Sequence, residues 1–185
     1  MTQTLNRTIF LTGFMGSGKS MIGKRLAHSL YRPFYDLDET ICRSHNMTVK
    51  EIFTKFGEPF FRLSETQELR ALINQEVLSV VALGGGAYCS EQNQSILKDK
   101  GIVLFLDVKT DLLVQRLMKN TKRPLLLNSD GSMKTESEIT IIIEEMMVKR
   151  RKWYLNADIH VVIDKPMETD EVSSFVYEEL KHYLL

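Results

Sequence analysis

The stretch GFMGSGKS, residues 13–20, constrains the fold of this chain more than any other. It fits the pattern G-x-x-x-x-G-K-[ST] and lies between an apolar run, TIFLT, and a segment with helical periodicity. Glycines in such a loop let successive backbone N–H groups turn inward around phosphate oxygens, and the next helix adds its positive N-terminal end. The stretch therefore predicts a strand–loop–helix unit that binds a nucleotide. In that unit Lys19 would reach the β- and γ-phosphates, and Ser20 would bind Mg²⁺.

Short apolar runs alternate with longer helical patterns along the rest of the chain. The runs predict strands at residues 8–12, 34–35, 78–83, 102–106 and 159–163. They are continuously apolar, which is typical of a parallel sheet covered on both faces. Helices are predicted over residues 19–30, 49–75, 92–100, 111–119, 136–154 and 169–184, the second of them broken near Gly57 and Pro59. The alternation predicts an α/β fold of three layers, with a five-stranded parallel sheet and helices on both faces.

Length, charge and cysteine content exclude several classes of protein. A chain of 185 residues is most simply one domain, residues 1–185. Its 24 basic residues balance 24 acidic ones, which argues against a nucleic-acid partner. The two cysteines show no metal-binding spacing and favour a reduced, cytoplasmic protein. The N-terminal apolar patch is too short to span a bilayer, so no membrane partner is expected. We expect a monomer.

One long segment fits neither a strand nor a helix. Residues 120–137, NTKRPLLLNSDGSMKTES, combine a proline, a glycine and many small polar side chains. Long loops inside compact domains are usually functional lids or disordered segments. The segment is therefore predicted to be a mobile lid.

Two aspartates, Asp36 and Asp38, follow the second predicted strand in the stretch FYDLDETI. If this segment is extended, both carboxylates lie on one side, about 7 Å apart. One of them would hold a water bound to Mg²⁺, and the other would meet the hydroxyl of an acceptor. In the alternative interpretation Asp38 only caps the helix that begins in ETICRSH, an effect of about 1 kcal/mol. The neighbouring phosphate-binding loop favours the functional interpretation.

Arg62 lies on the predicted inward stripe of a helix. The spacing of Arg62, Glu65 and Leu69 puts the three on one face, which continues through apolar residues towards the core. An unpaired buried guanidinium would cost several kcal/mol, so Arg62 is predicted to bind an anion in a pocket. The alternative is an exposed ion pair between Arg62 and Glu65 that contributes only about 0.2–0.5 kcal/mol.

A basic run, KRRK at residues 149–152, follows an apolar helical face. At about 100° per residue, Arg150 falls near the middle of that face, whereas Lys149 and Arg151 lie roughly 90° or more away. Most of the run is therefore predicted to be a solvated helix end stabilised by the helix dipole, with Arg150 turned inward.

The stretch VVALGGGAYCS ends an apolar run in three consecutive glycines, Gly84, Gly85 and Gly86. Each glycine costs backbone entropy and offers no side chain to pack. Three together predict that something approaches the backbone closely at this point.

Six stretches in this order resemble the motifs of the shikimate kinase family of P-loop enzymes: GFMGSGKS, YDLDETI, GEPFFRLSE, ALGGGAY, NTKRPLL and KRRKWYLNADI. A P-loop alone is generic, but this combination is specific and covers nearly the whole chain. The resemblance implies ATP-dependent phosphorylation of the 3-hydroxyl of shikimate, a step towards chorismate and the aromatic amino acids. The implied small-molecule partners are ATP and shikimate, with Mg²⁺ as cofactor.

The resemblance also implies roles for individual residues. Asp38 would bind the acceptor hydroxyl and act as, or assist, the base, while Asp36 would support Mg²⁺ through water, together with Ser20. Arg62 and Arg150 would hold the carboxylate of shikimate.

Further roles follow for the nucleotide side and for the glycines. Arg123 of the lid would close over the phosphates, and Arg116 would lie against the adenine. The remaining implied contacts are backbone contacts of Gly84, Gly85 and Gly86 with the substrate, and ATP contacts of Gly13, Gly16, Ser17, Gly18, Lys19, Ser20 and Met21.

The basic run departs from the family pattern, because Lys152 stands where the family has proline. Alignment on Tyr154 selects Arg150 as the second carboxylate ligand, whereas alignment on residues 157–158 selects Lys149. The helical-face argument favours Arg150.

Two rival functions remain: a kinase of the same scaffold for another acceptor, such as gluconate, and a non-catalytic ATP-binding protein. Two arginines facing one pocket fit an acid.

Overall fold

The computed structural model describes residues 7–119, 124–128, 130–181 and 183. Arg123 therefore lies outside the described residues, as does part of the predicted lid. In chain order the elements are β1 (Thr8–Thr12), α1 (Lys19–Ser29), β2 (Phe34–Asp36), α2 (Leu37–His45), α3 (Val49–Asn74), β3 (Val80–Ala82), α4 (Glu91–Leu97), β4 (Gly101–Val108), α5 (Thr110–Met118), α6 (Glu136–Tyr154), β5 (Ile159–Ile163) and α7 (Thr169–Lys181).

The five strands form one parallel sheet, as the sequence predicts, and the structure gives their order as β2-β3-β1-β4-β5. Because β3 lies between β2 and β1, the carboxyl ends of these three parallel strands are neighbours at one edge of the sheet. The phosphate-binding loop, the triple glycine and Asp36 follow these three ends. In open parallel sheets ligands bind at this edge, outside the carboxyl ends of the strands.

Helices cover both faces of the sheet and give three layers. Alternate residues of β4 belong to different clusters: Leu104 packs with residues of α1, α5 and α7, whereas Phe105 packs with residues of α2 and α3. The edge strand β5 departs from the expectation of burial on both faces, because His160 and Val162 are exposed. It lies at the edge of the sheet and has a neighbouring strand, β4, on one side only.

The segment around Asp36 and Asp38 differs from the sequence prediction. It is not extended: Asp36 ends β2, and α2 begins at Leu37. The helix is capped by Asp36 rather than by Asp38, because the Asp36 carboxylate accepts hydrogen bonds from the backbone N–H groups of Asp38 and Glu39. The strand ends one residue too early for the period-2 argument to apply.

Two other predictions about helices are confirmed. Helix α3 is interrupted at Gly57, whose φ of 79° and ψ of 175° are not helical, and Pro59 stands in the first turn after the break. Helix α6 has the predicted bounds, since Thr135 and Glu138 form a capping box at its start. The described part of the lid is not wholly irregular: it contains a 3₁₀ turn, Pro124–Leu126, and an antiparallel bridge between Leu127 and Met133.

Within the described residues, the chain has no helix of the length and apolar character needed to cross a membrane.

Candidate active site

The phosphate-binding loop follows β1 and requires glycine at several positions. Gly13, Gly16 and Gly18 have φ values of 144°, 83° and 98°, in the region that side chains rarely adopt. Gly18 is also the N-cap residue of α1, so the loop ends directly at the positive end of that helix. This is the backbone arrangement that binds phosphate oxygens.

Lys19 folds back over the loop from the start of α1. Its Nζ donates hydrogen bonds to the carbonyl oxygens of Gly13 at 2.8 Å and of Phe14 at 2.9 Å, and lies 3.4 Å from the hydroxyl of Ser17. The ammonium group is therefore held above the loop, where the phosphates of a nucleotide would lie.

Ser20 and Asp36, which the sequence predicts as metal ligands, are in direct contact. The Ser20 hydroxyl donates to Oδ2 of Asp36 at 2.5 Å, while Oδ1 of Asp36 accepts the two N–H groups at the start of α2. The second set of bonds fixes the orientation of the carboxylate. Asp36 therefore has both a structural role as helix cap and a position beside the loop.

A cavity of about 440 Å³ lies over the loop on the nucleotide side of the site. Arg116 enters it from α5 and approaches the carbonyl oxygens of Gly16 and Ser17, both at 3.4 Å. The predicted residues that line this cavity are Gly16, Ser17, Gly18, Lys19, Ser20, Met21, Asp36, Asp38, Gly85 and Arg116.

A second cavity of about 830 Å³ adjoins the first beyond the triple glycine. It is lined by Arg62, Glu65, Gly86 and Arg150, together with Cys89 and Trp153. The structure thus places both predicted carboxylate-binding arginines in one cavity. Lys149 is exposed, so the geometry agrees with the helical-face argument for Arg150.

Arg62 does pair with Glu65, but this is not the exposed ion pair of the alternative interpretation, because Glu65 is buried. Its guanidinium bonds to Glu65 at 2.6 Å and to Glu58 at 2.8 Å. Glu65 is only 1% exposed, whereas Glu58 is 62% exposed. Arg62 therefore bridges a buried carboxylate and a solvated one, and the side chain remains 34% exposed at the cavity.

Glu65 has an unusual environment for a carboxyl group. Its Oε1 is buried and makes no hydrogen bond to the described part of the chain. Burial raises the pKa of Glu65 to about 7, although Arg62 acts in the opposite direction; the negative charge of Asp38 adds to the increase. Glu65 therefore changes charge near neutral pH.

The structure shows one environment at Gly84 and Gly86, where a side chain would clash, and a different one at Gly85. None of the three residues has a positive φ, so backbone conformation does not require glycine here. A Cβ on Gly84 would lie 2.5 Å from Oδ1 of Asp38 and 2.6 Å from Oε1 of Glu65, and one on Gly86 would lie 2.6 Å from the Arg62 guanidinium. Asp38, Glu65 and Arg62 therefore already fill the space that a side chain at position 84 or 86 would need. A Cβ on Gly85 would meet nothing closer than 3.5 Å, so it would make only ordinary van der Waals contacts beside the cavity that Gly85 lines.

Tyr154 is a site residue that the sequence reasoning used only to align the basic run. It is fully buried, and its hydroxyl donates to the carbonyl oxygen of Gly85 at 2.5 Å. Arg150, one turn earlier on α6, donates to the same oxygen at 3.2 Å. The i, i+4 spacing of an arginine and a tyrosine on an inward face was the available signal. Glu58, which pairs with Arg62, was also missed.

The fold and the site define the class of the protein: a P-loop phosphotransferase with a separate cavity beside its nucleotide site. A model of the family described as shikimate kinase matches residues 15–181. The shikimate kinase of Chlorobium phaeobacteroides is 40% identical over 170 residues, which are 92% of this chain and 87% of that protein. The chain belongs to the shikimate kinase family.

Solved structures agree with this assignment. The crystal structure of shikimate kinase from Bacteroides thetaiotaomicron superposes with a TM-score of 0.85 at 32% identity, over 95% of this chain and 98% of that one. Shikimate kinase from Acinetobacter baumannii, solved in complex with shikimate, gives a TM-score of 0.82 at 32% identity, over 99% and 97%.

Proposed function

We propose that this chain transfers the γ-phosphoryl group of ATP to the 3-hydroxyl of shikimate, which gives shikimate 3-phosphate and ADP. One observation carries the proposal: Arg62 and Arg150 face one cavity that adjoins the phosphate-binding loop across the triple glycine. Two cationic side chains at one end of a small cavity suit a carboxylate. Membership of the shikimate kinase family supports the choice of acceptor.

The nucleotide side would bind ATP through the backbone of the loop and the Lys19 ammonium group. The N–H groups of residues 13–18 and the N-terminus of α1 supply positive potential for the phosphates. Arg116 lies at the rim of this cavity, in a position to contact the adenine.

The acceptor side would hold shikimate by charge and shape. Arg62 and Arg150 would bind the carboxylate, and the backbone of Gly84, Gly85 and Gly86 would form the floor of the site. The Asp38 carboxylate lies against Gly84, at the boundary between the two cavities. In that position Asp38 would accept the proton of the attacking hydroxyl.

The residues near the loop fit Mg²⁺ as a cofactor. Ser20 and Asp36 offer a hydroxyl and a carboxylate, which are the hard oxygen donors that Mg²⁺ prefers. No cluster of three or more His, Cys, Asp or Glu side chains that could hold a metal occurs among the described residues. This agrees with an ion held mainly by nucleotide phosphates and water. When bound, Mg²⁺ would neutralise charge on the phosphates.

Catalysis would then depend on positioning and charge. Lys19 would stabilise negative charge on the transferring group, and Asp38 would orient the acceptor hydroxyl in line with it. Arg123 falls outside the described residues, and its role at the phosphates, like closure of the lid, remains a prediction. The cytoplasmic location also remains a prediction. The free thiols of Cys42 and Cys89 support it, because a reducing compartment keeps cysteines unpaired.

The experiment is to measure ADP release from Mg-ATP by purified protein with shikimate, quinate, gluconate or AMP as acceptor. Saturable turnover with shikimate alone is the expected result. Turnover with gluconate instead would replace the proposed acceptor by another. Tight ATP binding without turnover on any acceptor would favour the non-catalytic function. Asp38→Asn is the control for contaminating kinase activity.

A further inference from the structure

A buried chain of hydrogen bonds joins helix α3 to the loop that carries the triple glycine. Asn93 of α4 lies between the two and is only 2% exposed. Its side-chain Nδ2 donates to the carbonyl oxygen of Ala87 at 2.8 Å, and its Oδ1 accepts from the hydroxyl of Thr66 at 2.8 Å. Thr66 and Ala87 are buried as well. We call this connection, from Thr66 through Asn93 to Ala87, the α3–loop bridge.

The carbonyl oxygen of Ala87 decides the direction of both bonds. A carbonyl oxygen can only accept, so the amide of Asn93 must turn its NH₂ group towards Ala87. The amide oxygen then faces Thr66, and the Thr66 hydroxyl must donate to it. The amide nitrogen and the amide oxygen of Asn93 therefore each have a partner of the right kind, as buried polar groups require.

The bridge ends beside the groups that the proposed function places on the acceptor. Thr66 stands one turn after Arg62 on α3, and its hydroxyl lies 3.1 Å from the carbonyl oxygen of Arg62. At the other end, Ala87 follows Gly86, where a Cβ would lie 2.6 Å from the Arg62 guanidinium. The guanidinium thus packs against Gly86, while its own turn of α3 is tied to the next residue of the loop.

The bridge has a counterpart on helix α6, which carries the second arginine. Tyr154 and Arg150 of α6 both donate to the carbonyl oxygen of Gly85. Asn93 holds the carbonyl oxygen of Ala87, two residues further along the same loop. The loop is therefore hydrogen-bonded to the helix of each arginine, directly in the case of Arg150 and through Asn93 in the case of Arg62.

We propose that Thr66 and Asn93 are positioning residues for the acceptor, because the α3–loop bridge sets where the Arg62 guanidinium lies relative to the glycine floor. The inference rests on the proposed function, in which the carboxylate of shikimate binds Arg62 and its ring lies on the glycine backbone. A small rigid acid touches both surfaces at once, so a shift of one against the other weakens its binding. Thr66 and Asn93 line the acceptor cavity, whereas other residues line the cavity over the phosphate-binding loop. ATP binding therefore does not depend on the bridge.

Two substitutions of Thr66 separate its hydrogen bond from its packing. Thr66→Val keeps the shape of the side chain and removes the hydroxyl, whereas Thr66→Ser keeps the hydroxyl and removes the methyl group. The fluorescence of Trp153, the only tryptophan of the chain, reports shikimate binding directly, because Trp153 lines the acceptor cavity. The Kd for shikimate is expected to rise about five- to tenfold in Thr66→Val and to stay within about twofold in Thr66→Ser. Steady-state kinetics should give a KM for ATP within about twofold of the wild type in both variants.

The dependence on Arg62 distinguishes positioning from a general loss of stability. If the bridge acts through Arg62, adding Thr66→Val to Arg62→Ala should change the Kd for shikimate by less than about twofold. Asn93→Asp tests the other half of the bridge, because a carboxylate still accepts from Thr66 but cannot donate to Ala87. Its Kd for shikimate is expected to rise about tenfold or more. Thermal unfolding is measured first, and the Thr66 pair decides the proposal if Asn93→Asp does not fold.

The wild type separates this proposal from the proposed function. If the wild type binds and phosphorylates shikimate while Thr66→Val keeps its affinity, the positioning role is overturned and the function stands. Equal losses of affinity in Thr66→Val and Thr66→Ser, or an undiminished loss in the Arg62→Ala background, would also overturn it. If the acceptor panel selects another acid, that acid replaces shikimate in the same titrations. A wild type that binds no acid of the panel would overturn both proposals.

Discussion

The hydroxyl of Tyr154 bonds to the carbonyl oxygen of Gly85 at 2.5 Å, across the boundary between α6 and the loop that follows β3. Tyr154 is fully buried, and Phe105 stacks on its ring with centroids 5.0 Å apart. Burial raises the pKa of Tyr154 far above its usual range, so the group remains a donor at every pH of interest. The peptide after Gly85 is therefore held in one orientation by a rigid partner.

We expect Tyr154→Phe to raise the KM for shikimate about five- to tenfold, since a lost hydrogen bond contributes about 1 kcal/mol. The KM for ATP should stay within twofold, because the loop after β1 is not touched. Steady-state kinetics with each substrate varied in turn gives the two values. Tyr88→Phe is the control, because it removes a similar bond, to the carbonyl oxygen of Asn156 at 3.0 Å. Equal kinetic effects of both variants would mean that Tyr154 acts only through stability.

Arg62→Ala is expected to weaken shikimate binding by about 2–5 kcal/mol, because it removes one cation that faces the carboxylate. The effect should be a KM for shikimate that is higher by about 30-fold or more. Arg70→Ala removes an exposed arginine about two turns later on α3 and should change nothing. A shikimate KM within twofold of the wild type in Arg62→Ala would contradict the carboxylate assignment.

Asp38→Asn is expected to lower kcat by about 10²–10⁴ and to change both KM values only modestly. The amide keeps the shape of the side chain, but it cannot take up the proton of the attacking hydroxyl group. The next residue offers a matched control: Glu39→Gln removes an exposed charge from the same turn of α2 and should leave kcat unchanged. A kcat within threefold of the wild type in Asp38→Asn would exclude a role in proton transfer.

The glycines give a pair of opposite expectations. Gly84→Ala forces its Cβ against the carboxylates of Asp38 and Glu65, so it should lower the midpoint of thermal unfolding as well as the activity. A Cβ on Gly85 makes only ordinary contacts, so in Gly85→Val the fold and ATP binding should survive while the shikimate KM rises or activity is lost. Thermal unfolding and ATP titration separate the two. Unchanged kinetics in Gly85→Val would contradict the proposal that this residue forms the floor of the substrate site.

Glu65 predicts a pH dependence of stability with a definite sign. Its pKa rises from 4.5 to about 7 on folding, so the folded chain binds the extra proton between those two pH values. The free energy of unfolding therefore falls as pH increases through that window, by about 3 kcal/mol at most. Urea unfolding at several pH values measures this slope. Glu65→Gln should remove this contribution, whereas Glu58→Gln, which alters the exposed partner of the same arginine, should keep it. Parallel slopes for wild type and Glu65→Gln would show that Glu65 does not titrate there.

Local signals in the sequence were sufficient for most of the fold. The capping box at Thr135 and Glu138 set the start of α6, and Gly57 with Pro59 set the break in α3, because both depend on interactions within a few residues. The error at Asp36 and Asp38 has the opposite cause. Whether a chain stays extended for one more residue depends on where its strand stops pairing, and β2 pairs with β3, a strand more than forty residues away.

The sequence by itself determined the phosphate-binding loop, the parallel sheet and the residue types that the site contains, since each rests on short-range chemistry. Only the tertiary structure decided how these residues meet. The strand order brings the ends of β1, β2 and β3 together, and this puts Asp38 and Glu65 against Gly84, and Arg62 against Gly86. The charge state of Glu65 and the hold of Tyr154 on Gly85 arise from the same packing. Both features depend on burial and on contact between segments that are distant in the chain. Residue spacing along the sequence therefore does not predict them.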